Sequence, residues 1–164
     1  MKKLLGLLLI GLLPLAAFAE DAKKEIPTFG DWAKQCEKDG DKEMCYIFQN
    51  VNSKDNGQML MQVRVGFVPD NNEPIFIATV PLGALLMPGA ALLVDEKIAP
   101  VKLPYLACGR QGCTTVGQPL KTDVVEAMQK GERAQVRVAL MNQKILPLPI
   151  SLKGFTRAYN SIAP

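Results

Sequence analysis

Four cysteines stand in two close pairs along the chain, Cys36 with Cys45 and Cys108 with Cys113. Each pair brackets a stretch built for reversing direction. "EKDGDKEM" lies between the first two, and "GRQG" lies between the second two. "LPYLA" leads into Cys108 and "TTV" leaves Cys113, so both can flank a hairpin tip whose unusual backbone angles fall to Gly109 and Gly112. Four thiols allow three pairings, and spacing alone does not choose among them. Local bridges close loops of roughly 6 to 10 residues and contribute about 2–3 kcal/mol, against roughly 4–4.5 kcal/mol for crossed bridges spanning some 70 residues. Crossed bridges need the fold to bring distant cysteines within about 7 Å. Local ones need only the hairpins that the sequence already suggests, and that favours them.

Disulfides presuppose an oxidising compartment, and the N terminus supplies the route to one. Lys2 and Lys3 form a short positive region, "LLGLLLIGLLPLAAF" follows as the apolar segment, and Ala17 and Ala19 provide the small residues of a cleavage site. Residues 1–19 therefore read as a secretory signal peptide cleaved after Ala19, which places the mature chain in the periplasm or outside the cell. No cysteine directly adjoins the end of the apolar segment, where a lipoprotein would carry one, and the mature chain has no transmembrane stretch. Without Lys2 and Lys3 the 19 basic side chains fall to 17, against 16 acidic. With no basic run among them, the charges read as solvated faces and carry no nucleic-acid footprint.

Residues 20–28 ("EDAKKEIPT") read as a flexible arm, and 29–164 as one β-rich domain. "CYIFQNV" (45–51), "MLMQVRVGFV" (59–68), "PIFIATV" (74–80) and "AQVRVALM" (134–141) carry strand composition or period-two alternation. Asn56-Gly57 marks a hairpin between the first two. "ILPLPIS" (145–151) has two prolines and is confined to an edge or to irregular extended chain. "TDVVEAMQKG" (122–131) predicts the one helix, about 122–130, with Thr122 as N-cap, Val124, Val125 and Met128 facing the core, and Gly131 as the stop. The fold class expected is mainly β: an antiparallel sandwich or partly open barrel with one short helix and two disulfides.

Candidate chemistry is sparse. The chain has no histidine, which removes Ser-His-Asp and Cys-His catalysis and the commonest transition-metal ligand. No catalytic residue, cofactor site or metal site is expected. Asp39, Asp41 and Glu43 alternate as a calcium loop begins, but Lys38 and Lys42 sit among them and the later EF-hand ligands are missing. Cys108 and Cys113 with Arg110 between them suggest a thiol-disulfide site, since an arginine lowers a thiolate pKa. The CxxxxC spacing and the absence of a following helix favour a structural staple instead. "VPLGALLMPGAALLVDE" (80–96) reads as two buried strands about a Pro88-Gly89 turn. If Leu85, Leu86 and Met87 are exposed at that loop, they form a hydrophobic contact surface, and Arg110 at the "GRQG" hairpin tip is a further candidate for an interaction surface. A third reading has Leu82, Leu85, Leu92 and Val94 lining an apolar ligand site between sheets. Trp32, the only tryptophan, is expected in the core, with Asp31 bonding nearby backbone. Ser151 and Lys153 would share a strand face.

"FGDWAKQC", "CYIFQ", "VPLGALLMPGAALLVD", "CGRQGC" and "SLKGFTRAY" follow one another in that order over roughly residues 29–160. This series resembles the invasion-associated locus B family of small exported proteins from Gram-negative bacteria. The resemblance implies a disulfide-bearing β-rich domain of the periplasm or envelope, with Cys36, Cys45, Cys108 and Cys113 structural. It also implies an association with host-cell invasion rather than a defined reaction, so no active-site residues carry over. The loop between the first two cysteines is short and highly charged here, and a specificity built on that loop does not transfer. The function expected is non-enzymatic binding to an envelope or host-surface partner.

Overall fold

The computed structural model describes residues 25–40, 42–69, 71–94 and 98–164. The leader 1–19 and most of the arm 20–28 lie outside the described residues, as does Asp41. Two open antiparallel sheets pack face to face with free edges, so the sandwich is the form adopted rather than the partly open barrel. The larger sheet runs β1 (Thr28–Phe29), β2 (Trp32–Asp39), β3 (Lys42–Asn52), β4 (Met59–Phe67), β5 (Pro74–Val80), β9 (Gly112–Thr115) and β8 (Tyr105–Gly109), with β10 (Gln118–Pro119) also on β5. The smaller sheet runs β12 (Ile145–Ser151), β11 (Arg133–Ala139), β6 (Ala90–Leu93) and β7 (Val101–Leu103).

Period-two alternation decides which side of each strand is dry. Met61, Val63 and Val65 of β4 and Phe76, Ala78 and Val80 of β5 point inward from the larger sheet. Ala134, Val136 and Val138 of β11 meet them from the smaller one, joined by Leu92, Leu103, Leu148 and Ile150. β9 and β10 share one edge of β5, and the amide of Ala78 between them finds no strand partner there. Thr115 Oγ1 accepts it at 3.0 Å, which accounts for one of the few buried polar side chains.

Helix α1 (Thr122–Lys130) has the expected bounds and buries Val124, Val125 and Met128. Its cap differs from the expectation: Lys121 occupies the N-cap, and Thr122 is already helical with no side-chain cap bond. Asp123 Oδ1 accepts the Val124 amide at 2.9 Å instead. Gly131 ends the helix in extended conformation, where a Cβ would come within 2.8 Å of the Ala127 carbonyl. A second helix, α2 (Phe155–Asn160), adds to the one the sequence predicted. Six residues carry no readable periodicity, and the helix exists because tertiary contacts hold it.

Those contacts explain the two most distinctive motifs. "FGDW" is the tight connection from β1 to β2, with Phe29 paired to Trp32. "SLKGF" carries the end of β12 into α2. The two segments touch backbone to backbone. A Cβ on Gly30 would lie 2.6 Å from the Lys153 carbonyl, and a Cβ on Gly154 would overlap the Phe29 carbonyl. Both glycines have positive φ, 64° and 86°. Across this clasp the Asp31 amide donates to Lys153 O at 3.1 Å, and Ser151 Oγ donates to Asp31 Oδ2 at 2.6 Å. Trp32 is 1% exposed, donates its indole N–H to Ser151 O at 2.8 Å, and packs edge-on against Phe155 at 5.1 Å. The Asp31 carboxylate therefore bonds a side chain while its main chain bonds backbone, and Ser151 Oγ donates to Asp31 and accepts the Lys153 amide at 3.3 Å rather than meeting the Lys153 ammonium.

Gln49 of β3 completes the junction. Its Nε2 donates to Ser151 O at 2.9 Å and its Oε1 accepts the Ser151 amide at 2.9 Å, so a side chain mimics the next strand at this point of the β12 edge. Farther along the same edge, Pro147 and Pro149 do the opposite. Leu148 and Ile150 face the core, and the bond from Leu152 N to Glu132 O sets the even-numbered residues of this strand as those bonding β11. The odd-numbered amides would face the open edge. Proline at 147 and 149 removes those donors, a device that blocks edge-to-edge pairing.

Candidate functional site

Both disulfides are local. Cys36 and Cys45 are direct cross-strand partners in the β2–β3 hairpin, with Cα atoms 4.0 Å apart. Cys108 and Cys113 are the same in β8–β9, at 3.9 Å. Such separations belong to the closely spaced type of antiparallel pair, where opposing side chains come nearest. Gly112 sits at φ 130° with the Val80 carbonyl pressed against the position a Cβ would take. The "GRQG" tip is thereby docked on the end of β5, with Arg110 at its turn. Cys113 is 3% exposed while Cys108 is exposed, so one sulfur of this staple lies in the core. Cys36 and Cys45 also lie close to Glu43, but their sulfurs are bonded to each other and no free cysteine is present among the described residues. A thiolate ligand set is thus not on offer there.

The apolar stretch after β5 departs from the two-strand reading. Only Ala90–Leu93 forms a strand; residues 81–89 cross from the larger sheet to the smaller one as a connection. Its backbone is nevertheless held. Ala84 bridges Leu140, the Leu85 amide donates to Ala139 O at 2.8 Å, and the Met141 amide donates to Gly83 O at 3.1 Å. Gly89 has φ 89°, and a Cβ there would lie 2.8 Å from the Leu103 carbonyl. These bonds use up the inward side of the connection and turn the rest outward. Ala84 is buried and Leu85 half-buried, whereas Leu82 and Leu86 are exposed and Met87 is 87% exposed.

The bridge to Leu140 brings a second apolar element to the same place. Met141 and Ile145 flank the β11–β12 turn and are also exposed, Met141 by 72%. Ile145 is the cross-strand partner of Ala139, whose carbonyl holds Leu85. Leu82, Leu86, Met87, Met141 and Ile145 thus crown one end of the fold. Met141 and Ile145 read from the sequence only as the ends of the strand runs "AQVRVALM" and "ILPLPIS", not as part of an exposed surface. The signal available was a hydrophobic residue on each side of the polar "NQK".

A shallow groove of about 860 Å³ leads from this rim across the outer face of the smaller sheet. Ile145 is common to rim and groove, Pro88 next to Met87 lines the groove, Ala91 and Pro147 floor it, and Lys102 and Arg137 stand over it. Arg137, Ala91 and Lys102 are consecutive cross-strand partners, so the two cations flank a small side chain across one row. Among the described residues, no carboxylate lines the groove. The four residues considered as an interior ligand lining do not converge. Leu82 is at the rim, Leu85 is half-buried beneath it, Leu92 is in the core, and Val94 is partly buried against the core just past the far end of β6.

Residues 32–163 match the family described as Invasion associated locus B (IalB) protein. The chain belongs to the invasion associated locus B family. Invasion protein B homologs from two Brucella abortus strains are each 29% identical to it over 138 residues, covering 82% of this chain and 77% of theirs. The crystal structure of invasion associated protein b from Bartonella henselae has the same fold, with a TM-score of 0.76 at 22% identity. That match covers 84% of this chain and 94% of that one. The family match begins at Trp32, on the clasp, and runs past both staples and the rim.

Proposed function

We propose that this member of the invasion associated locus B family is an exported, non-enzymatic interaction protein of the bacterial envelope, with a role in host-cell invasion. Residues 1–19 direct export and are removed after Ala19, residues 20–28 form an arm, and residues 29–164 act as one domain in the periplasm or outside the cell. One observation carries the reading: five large aliphatic side chains stand exposed at one end of a fold that is otherwise dry inside, on loops whose backbones are hydrogen-bonded in place. Soluble proteins keep such patches small unless something binds them. The two stapled hairpins and the clasp supply a stiff support, which lowers the ordering cost of binding. Family membership and the Brucella invasion protein B homologs support the link to invasion.

The test places a photo-crosslinking residue at Met87, or at Asn56 in the β3–β4 turn, in the producing bacterium. Envelope material linked from position 87 and not from 56 supports the reading. Equal or absent linkage from both refutes it. The invasion role is tested by gene deletion in an invasive host strain, and undiminished uptake into host cells would end it.

A further inference from the structure

We infer that the rim is a peripheral membrane-insertion tip: Leu82, Leu86, Met87, Met141 and Ile145 enter the interfacial zone of an anionic bilayer while Lys102, Arg137 and Lys144 lie against its phosphates. This deepens the binding reading above and rests on it. Three features select a bilayer over a folded protein partner. The exposed side chains are all aliphatic, and the chain's only tryptophan is committed to the clasp. Protein hot spots draw on Trp, Tyr and Arg set in shaped pockets, whereas binding to a bilayer scales with the apolar area buried and with attraction to anionic lipid. Among the described residues lining the groove beside the rim, the charges have one sign. Lys102 and Arg137 share the groove with Ile145 and Pro88, Lys144 adjoins Ile145 in the turn, and no carboxylate lines the groove among the described residues. That complements the negative potential of phosphatidylglycerol-type surfaces. The connection carrying Leu86 and Met87 is held by the Ala84–Leu140 bridge and the Leu85–Ala139 and Met141–Gly83 bonds, so insertion requires no refolding. Among the described residues no helix is long and apolar enough to cross a membrane.

The test is co-sedimentation of the exported protein, its leader shown by intact mass to be removed, with vesicles of phosphatidylglycerol and phosphatidylcholine or of phosphatidylcholine alone. The wild type is expected to pellet with the anionic vesicles and to release as salt is raised. Leu86→Ser with Met87→Ser removes two exposed apolar side chains and lowers partitioning on the order of a hundredfold. Lys102→Gln and Arg137→Gln each lower it about fivefold. All these positions are exposed or outward-facing, so thermal unfolding should stay within a degree or two of wild type and serves as the folding control. Wild-type protein that leaves anionic vesicles unbound overturns the inference, as does binding that the double variant retains. If vesicles fail while position 87 still crosslinks an envelope protein in cells, the bilayer assignment falls and the interaction-protein reading stands. If both fail, both fall.

Discussion

Gly154→Ala tests the clasp that joins the two motifs most characteristic of the chain. Gly154 holds φ 86°, and an added Cβ would overlap the Phe29 carbonyl while lying 3.0 Å from the Gly30 amide nitrogen. The left-handed conformation alone costs an alanine about 1–2 kcal/mol. Relief of the overlap requires the β1–β2 turn to move, which loosens the bonds from Asp31 N to Lys153 O and from Ser151 Oγ to Asp31. At about 0.5–1.5 kcal/mol each, with a similar loss from the Trp32–Phe155 contact, the total is about 2.5–6.5 kcal/mol. That is a large share of the roughly 5–15 kcal/mol that stabilises a domain, and it lowers Tm by about 10 °C or more for a chain of this size. Gly57→Ala is the control. Gly57 also has positive φ, 69°, but its Cβ would meet nothing within 4 Å, so only the conformational part applies, about 2–6 °C. Scanning calorimetry supplies both values, and the emission of Trp32, the sole tryptophan, reports on the clasp itself. Equal losses from the two substitutions would refute the packing argument.

Three further outcomes follow from the same geometry. In the native protein all three tyrosines should ionise above their ordinary value. Burial, then the hydrogen bond to Glu37 at 2.6 Å, pushes Tyr46 up to about 12, and burial raises Tyr105 and Tyr159. Because the folded state holds the proton more tightly, the stability tied to Tyr46 is present below pH 10 and is lost as pH rises from about 10 to 12; ultraviolet titration showing a native tyrosine at 10 contradicts this. Pro147→Thr with Pro149→Thr restores two amides at the open β12 edge and should cause concentration-dependent self-association on size exclusion with light scattering; a strictly monomeric variant contradicts it. Cys36→Ser with Cys45→Ser, or Cys108→Ser with Cys113→Ser, should each lower stability by about 2–3 kcal/mol in urea unfolding, and losses below about 0.5 kcal/mol for both would show that the hairpins do not need their staples.

The strand framework was legible because alternation and burial coincide. Pro74–Val80, Ile145–Ser151 and Thr122–Lys130 have the expected bounds, and Val124, Val125 and Met128 face inward as their spacing predicts. The β3–β4 hairpin was signalled by Asn56-Gly57, although Gly57 alone adopts positive φ and the connection is six residues long. What the sequence hid was decided by long-range contacts. Helix α2 depends on Gly154 meeting Phe29, 125 residues away in the chain. Leu86 and Met87 read two ways, as part of a buried strand or as an exposed contact surface, because composition cannot reveal that Ala84 and Leu85 take the inward positions and leave their neighbours outside. Met141 and Ile145 joined the site only through the Ala84–Leu140 bridge. Cys108 and Cys113 were readable as a staple from the glycines between them, but the burial of Cys113 comes from docking against β5.

The central claim is that the chain works by binding through its exposed apolar end. Its most direct measurement is envelope retention, by fractionation of living cells, of wild type against Leu86→Ser with Met87→Ser, with intact mass confirming both disulfides in each. The account predicts a variant that is oxidised, folds with an unchanged Tm and no longer remains with the envelope. A variant that folds equally well and is retained as strongly as wild type contradicts it.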